Sequence, residues 1–113
     1  DLDDGRIPVG LRAILQELQK LTLSHGKSNP SNSTLTVCLA INYGGRQDIL
    51  QASIKMAAAV RAGELSADEI SEETMSNFLS TSGIPDPDMI VRTSGEHRLS
   101  NFLLWNAAYS ELY

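Results

Sequence analysis

From Pro8 onward, Leu11, Ile14, Leu15, Leu18 and Leu21 recur at steps of three and four residues, which places them on one face of a helix. Pro8 suits the first turn of that helix, where a missing N–H costs no intrahelical bond. The pattern stops at Ser24–Ser33, a polar stretch with Gly and Pro that reads as a surface loop. Leu35 to Ile41 is then a nearly continuous apolar, β-branched run, the pattern of a strand buried on both faces of a parallel sheet. Cys38 lies inside that run and reads as a buried, inert thiol.

The run ends at Asn42-Tyr-Gly-Gly45, and a helical period resumes near Arg46 with Ile49, Leu50, Ile54, Ala57 and Ala58 on one side. Gly63 is a natural stop for it. Ser66-Ala-Asp-Glu69 and Ser71-Glu-Glu-Thr74 read as helix starts, the first with capping-box spacing. The helix that follows should bury Met75, Phe78 and Leu79. Pro85-Asp-Pro-Asp88 interrupts the chain, and Met89–Val91 reads as a second short buried strand. Strand, helix, helix, strand predicts an α/β fold: a parallel sheet with flanking helices. Two strands cannot build a sheet covered on both faces, so the chain is expected to be part of a larger domain.

Composition narrows the choices. The 113 residues allow at most one small domain. With 42% hydrophobic but only 5% aromatic residues, its core must come from Leu, Ile, Val and Ala. A net charge of -5 argues against nucleic acid as a partner, although a few local cations suffice for a small anion. A single cysteine excludes an internal disulfide. No apolar run approaches the ~20 residues of a membrane span. Asp1–Gly5 is acidic, unlike a signal peptide, and no initiating Met is present, so the chain is expected to begin inside a domain.

In open α/β sheets, ligands bind beyond the carboxyl ends of the strands. After the first expected strand, Asn42-Tyr-Gly-Gly-Arg46 leads into a helix whose free N–H groups could hold an anion. The simpler reading is that Gly44 and Gly45 permit a tight turn. After the second comes Arg92-Thr-Ser-Gly-Glu-His-Arg-Leu-Ser100. Two guanidiniums, small hydroxyls and a glycine suit a diphosphate, because Arg matches phosphate oxygens with planar, permanently charged donors. A polar loop with Arg92 and Arg98 paired to surface acids fits the composition equally well. Glu96, His97 and Glu111 offer ligands for a divalent ion, and an ion shared with phosphate oxygens would be Mg²⁺. Zinc-ligand spacing is lacking, His25 and His97 being the two histidines. Trp105 and Tyr109 read as packing or interface residues.

Three blocks carry a resemblance: Leu39 to Ile49 (LAINYGGRQDI), Pro87 to Trp105 (PDMIVRTSGEHRLSNFLLW) and Ala108 to Tyr113 (AYSELY). Together they resemble cis-prenyltransferases, the family of undecaprenyl and dehydrodolichyl diphosphate synthases. The likeness extends over essentially the whole chain. It implies that residues 1–113 are the carboxyl-terminal part of one catalytic domain, and the insertion at Ser28–Ser33 is similar to that of plant members. It further implies condensation of isopentenyl diphosphate with an allylic diphosphate, Mg²⁺ as cofactor, and a homodimer or a heteromer with a related subunit. The lipid product implies peripheral membrane association, in the cytoplasm, at the endoplasmic reticulum or in a plastid. By motif, Arg92, Glu96, His97 and Arg98 are the expected catalytic residues. Arg92, Arg98 and Ser100 would hold the isopentenyl diphosphate, and Glu111 would bind Mg²⁺. Asn42, Gly44, Gly45 and Arg46 would shape the turn that braces the pocket. A non-catalytic partner subunit and an unrelated phosphate-binding α/β module are the alternatives.

Overall fold

The structure, a computed structural model, describes Gly5, residues 7–27 and residues 35–113. The chain divides into two units, Asp1–Asn42 and Tyr43–Tyr113.

In the first unit the expected helix forms as α1 (Val9–Lys27). The Arg12 N–H donates to the Pro8 carbonyl at 3.0 Å, so Pro8 sits at the helix start as its chemistry favours. Helix α1 continues through Lys27 and takes in the first four residues of the expected loop; positions 28–33 lie outside the described residues, as does the acidic start apart from Gly5. The apolar stripe is present but mostly uncovered: Leu11, Ile14, Leu18 and Leu21 are exposed and Leu15 is half-buried.

Leu35–Ile41 is not the buried strand its composition suggested. It has no regular secondary structure, Leu35 is 89% exposed, and Cys38 is exposed as well. A strand needs a neighbour to take its N–H and C=O groups. Among the described residues no strand runs beside this one. Apolar, β-branched composition alone does not provide that neighbour.

The second unit has a core of its own. Its elements are α2 (Gly45–Ala62), a 3₁₀ turn (Ala67–Glu69), α3 (Glu72–Phe78), β1 (Met89–Ile90) and β2 (Glu111–Leu112). Gly63 ends α2 in the left-handed region at φ 75°, its N–H bonded to the Val60 carbonyl. The Ser66 N–H donates to Glu69 Oε2 at 2.9 Å, and the Thr74 N–H donates to Ser71 Oγ at 3.1 Å. Both starts therefore form where the capping spacing placed them. Ala52 and Met56 of α2 pack with Met75 and Leu79, and Ile49, Leu65, Phe78 and Trp105 complete the cluster. The buried stripe of α2 is thus Gly45, Ala52 and Met56. Leu50 and Ile54, expected on the buried side, are each 52% exposed, and Ala57 and Ala58 are exposed too. Ala52 and Met56 face Met75 and Leu79 while Gly45 lies against Leu104, so the packed face is rotated from the one hydrophobicity marks.

The sheet is parallel, with Met89 opposite Glu111 and Ile90 opposite Leu112. Its second strand comes from the chain's last residues and not from Leu35–Ile41. Strand β1 is shorter and more open than expected, Met89 being 53% and Val91 63% exposed. Hydrogen bonds from Glu111 N–H to Asp88 O, Tyr113 N–H to Ile90 O and Arg92 N–H to Tyr113 O extend the ladder. The turns leading to β2 are pinned by polar side chains. Asn106 is buried, donates to Asp86 Oδ1 at 2.6 Å and accepts from Thr81 Oγ1 at 3.2 Å. Both ends of its amide are thereby satisfied. Trp105 Nε1 donates to Ser76 Oγ at 3.0 Å, fastening the same turns to α3. Among the described residues no helix is long and apolar enough to cross a membrane.

Candidate functional site

At the carboxyl end of β1 the chain leaves the ladder at Arg92 and enters a loop with unusual backbone geometry. Ser94, Gly95, Ser100 and Asn101 all have left-handed φ values, 76°, 67°, 46° and 67°. Only Gly95 takes that region at no steric cost. Such geometry persists where surrounding contacts impose it. Arg92 supplies two of these contacts: its Nη1 donates to the Arg98 carbonyl and to Ser100 Oγ, each at 2.6 Å. Arg98 Nη1 in turn donates to Glu96 Oε2, an ion pair two residues apart along the loop.

Ile90, Arg92, Glu96, His97, Arg98, Leu112 and Tyr113 line a small cavity at this point, about 10 Å³ in volume. That is room for about one water molecule. The cavity sits at the carboxyl ends of two parallel strands, where α/β sheets present ligands. Its chemistry is that of two guanidiniums, one carboxylate, an imidazole and a phenol. Arg92 spends one nitrogen on the loop and keeps other N–H groups for an anion.

The start of α2 is fastened to Asn101. The Gly45 N–H donates to the Asn101 carbonyl at 2.7 Å, and the Arg46 N–H donates to Asn101 Oδ1 at 2.8 Å. Two of the helix's free donors are therefore occupied by this chain and do not await an anion. Nor is a left-handed turn the reason for the glycines, because Gly44 is extended at φ −150°. Close approach is the reason. A Cβ on Gly44 would stand 2.8 Å from Asn101 Nδ2, and one on Gly45 would stand 2.9 Å from the Leu104 backbone nitrogen. Arg46 contributes its backbone N–H, and its side chain is exposed. Asn42, the last residue of the first unit, is the one that turns left-handed, at φ 53°.

Two further contacts close this region. Tyr43 packs edge-on against Phe102, with ring centroids 5.8 Å apart. Burial, and then the charge and hydrogen bond of Asp48, push the Tyr43 hydroxyl up to about 12. Asp48 also accepts from the Ser80 N–H and Ser80 Oγ, each at 2.9 Å.

Residues 6–113 match the family profile described as "Putative undecaprenyl diphosphate synthase". The chain belongs to the cis-prenyltransferase family. Among curated relatives, an isoprenyl transferase of Agrobacterium fabrum is 50% identical over 109 residues, covering 96% of this chain and 41% of its own length. A ditrans,polycis-undecaprenyl-diphosphate synthase of Legionella pneumophila, (2E,6E)-farnesyl-diphosphate specific, is 46% identical over 98 residues, covering 87% and 41% respectively. The crystal structure of lavandulyl diphosphate synthase from Lavandula x intermedia, in complex with dimethylallyl diphosphate, superposes with a TM-score of 0.73 at 37% identity. That alignment covers 98% of this chain and 45% of the synthase. This cis-prenyltransferase chain therefore spans less than half the length of these relatives.

Of the residues singled out by sequence, the fold brings Arg92, Glu96, His97 and Arg98 to one cavity and Ser100 against Arg92. Glu111 does not line that cavity: it is exposed at the start of β2, and its neighbour Leu112 does the lining. Among the described residues no three His, Cys, Asp or Glu side chains stand together as a metal cluster. Sequence reasoning missed Asn101, Asp48 and Ser80. Adjacent glycines were the available signal for Asn101, since two positions lacking Cβ imply that something approaches closely.

Proposed function

We propose that the complete protein is a cis-prenyltransferase that condenses isopentenyl diphosphate with an allylic diphosphate, extending a polyprenyl diphosphate by cis units. Residues 1–113 would be the carboxyl-terminal part of its one catalytic domain. The observation that carries the reading is the Arg92 guanidinium, held by Arg98 O and Ser100 Oγ beside Arg98, Glu96 and His97. The names of the relatives support the substrate class: farnesyl and dimethylallyl diphosphates are both allylic.

In this mechanism Arg92, Arg98 and Ser100 grip the diphosphate of isopentenyl diphosphate and align its double bond with the allylic carbon. As the allylic C–O bond breaks, the bonding pair leaves with diphosphate and a carbocation forms. The π pair of the isopentenyl double bond makes the new C–C bond to it, and a proton lost to solvent or the released diphosphate from the neighbouring carbon restores a double bond. Preorganised cations cost no reorganisation at that moment. Arg98 meets Glu96 through Nη1 and keeps other N–H groups for a phosphate oxygen, while Glu96 and His97 would border the site. The donor set also fits Mg²⁺ in its usual mode, one or two carboxylates completed by water and phosphate oxygens: Glu111 is exposed and Glu96 lies at the cavity. When bound, Mg²⁺ would supply charge neutralisation at the diphosphates. Exposed Val91, Tyr109, Leu112 and Tyr113 support assembly with a second copy or a related subunit around β1 and β2. The lipid product would draw the enzyme to a membrane surface.

The test is incorporation of labelled isopentenyl diphosphate onto a short allylic primer by the complete protein. Arg92→Ala or Arg98→Ala should lower kcat/KM about a hundredfold, the size of losing one preorganised anion contact. Lysine should restore only part, because a point charge lacks the two-pronged fit. Near-wild-type kinetics in both alanine variants would return these arginines to a solvated surface pair. In the same assay Glu111→Gln should raise the Mg²⁺ concentration for half-maximal rate. An unmoved Mg²⁺ curve would remove Glu111 from the metal site.

A further inference from the structure

We propose that Asn101 is a positioning residue: clamped onto the start of α2, it holds Ser100, and through Ser100 the Arg92 guanidinium, in the geometry that receives a diphosphate. The inference rests on the reading of Arg92 and Ser100 given above. Ser100 and Asn101 are consecutive and both left-handed, at φ 46° and 67°. Non-glycine residues avoid that region, and two in succession need external restraint. Asn101 supplies it with two acceptors, its carbonyl on the Gly45 N–H at 2.7 Å and its Oδ1 on the Arg46 N–H at 2.8 Å. Both donors belong to a helix start, where free N–H groups and the helix dipole favour an oxygen. Gly44 leaves the space for Asn101, and Gly45 leaves it for Leu104, three residues further on.

A continuous path follows from core to loop. Helix α2 is anchored by Ala52 and Met56. Asn101 is fixed to α2, Ser100 is joined to Asn101 by one peptide bond, and Ser100 Oγ accepts from Arg92 Nη1 at 2.6 Å. Asn101 itself would touch no substrate. The rival explanation is that it only caps α2 and stabilises the fold.

Steady-state kinetics of the complete protein separate the two explanations, with isopentenyl diphosphate and the allylic diphosphate varied in turn and thermal unfolding recorded alongside. Asn101→Gly keeps the left-handed backbone and deletes the side-chain acceptor. It should raise KM for isopentenyl diphosphate about tenfold, as expected for one lost positioning hydrogen bond, and leave KM for the allylic diphosphate nearly unchanged. Asn101→Asp retains an oxygen of the same reach and should recover most of the loss. If Asn101→Gly does not fold, Gly44→Ala carries the test, since its methyl would displace Asn101 Nδ2 and should shift the same KM. A lowered unfolding temperature with KM for isopentenyl diphosphate unmoved makes Asn101 a cap and overturns the proposal. So does an equal rise in both KM values. If Arg92→Ala leaves KM for isopentenyl diphosphate unchanged, the assignment of Arg92 falls first, and the role of Asn101 falls with it.

Discussion

Helices α1 and α2 are nearly equal in length, 19 and 18 residues, and both carry apolar residues at helical spacing. Their surroundings differ sharply. Helix α2 buries Ala52 and Met56 against α3, while the leucine stripe of α1 faces solvent. The longer, more regular hydrophobic pattern thus belongs to the helix with the uncovered face. Periodicity reports which side of a helix can be buried; a second element decides whether it is. In the second unit that element, α3, lies close along the chain and its start is capped by Ser71. The first unit offers α1 nothing comparable among the described residues.

The largest expected contrast comes from truncating one leucine in each unit. Leu79, 4% exposed, should lose about 3 kcal/mol of unfolding free energy on Leu79→Ala, in the usual range for a buried leucine. Leu18, 48% exposed, should lose less than about 1 kcal/mol on Leu18→Ala. Denaturant titration of both variants measures the difference, and equal losses would mean that α1 is as well packed as α2.

Two glycine substitutions sharpen the contrast by changing sign. Gly45→Ala should destabilise by about 1–3 kcal/mol, because the new methyl meets the Leu104 backbone nitrogen at 2.9 Å and backbone cannot swing aside as a side-chain tip can. Gly10→Ala in α1 meets nothing within 4 Å and should stabilise by about 0.5 kcal/mol through helix propensity. Thermal unfolding distinguishes them, and a stabilising Gly45→Ala would refute the close approach of Asn101–Leu104.

The smallest effect concerns alkaline pH. Tyr43 is raised from 10.0 to about 12, so the folded state holds its proton more tightly than the unfolded state. Its contribution to stability is therefore complete below pH 10 and disappears as pH rises from 10 through about 12. Spectrophotometric titration should show one phenol ionising near 12 that is missing in Tyr43→Phe. Its appearance near 10 would mean that Tyr43 is neither buried nor in contact with Asp48.

Local chemistry was legible in the chain and tertiary placement was not. Gly63 and Ser71 mark helix ends because capping is decided within a few residues. Residue type left the cluster Arg92–Ser100 open between a diphosphate site and a polar loop, the family resemblance favoured the first, and the fold brings its charged members together. The rotated face of α2 was hidden, since Ala52 and Gly45 are too small to register as hydrophobic anchors. Leu35–Ile41 was misread because a strand is defined by its neighbour, and β2 was missed because a two-residue strand has no period to detect. Asn101 went unnoticed for a related reason: its partners lie 55 residues away at Arg46.

Cys38 is the chain's one thiol, and it stands exposed in the segment once expected to be a buried strand. That makes it a built-in reporter. A maleimide dye would attach at a single known place without any engineered cysteine. On residues 1–113, slow labelling would register a covered Leu35–Ile41, and fast labelling an open one. The same dye would give a fluorescence handle outside the unit that holds Arg92, leaving the arginine loop free of chemical modification.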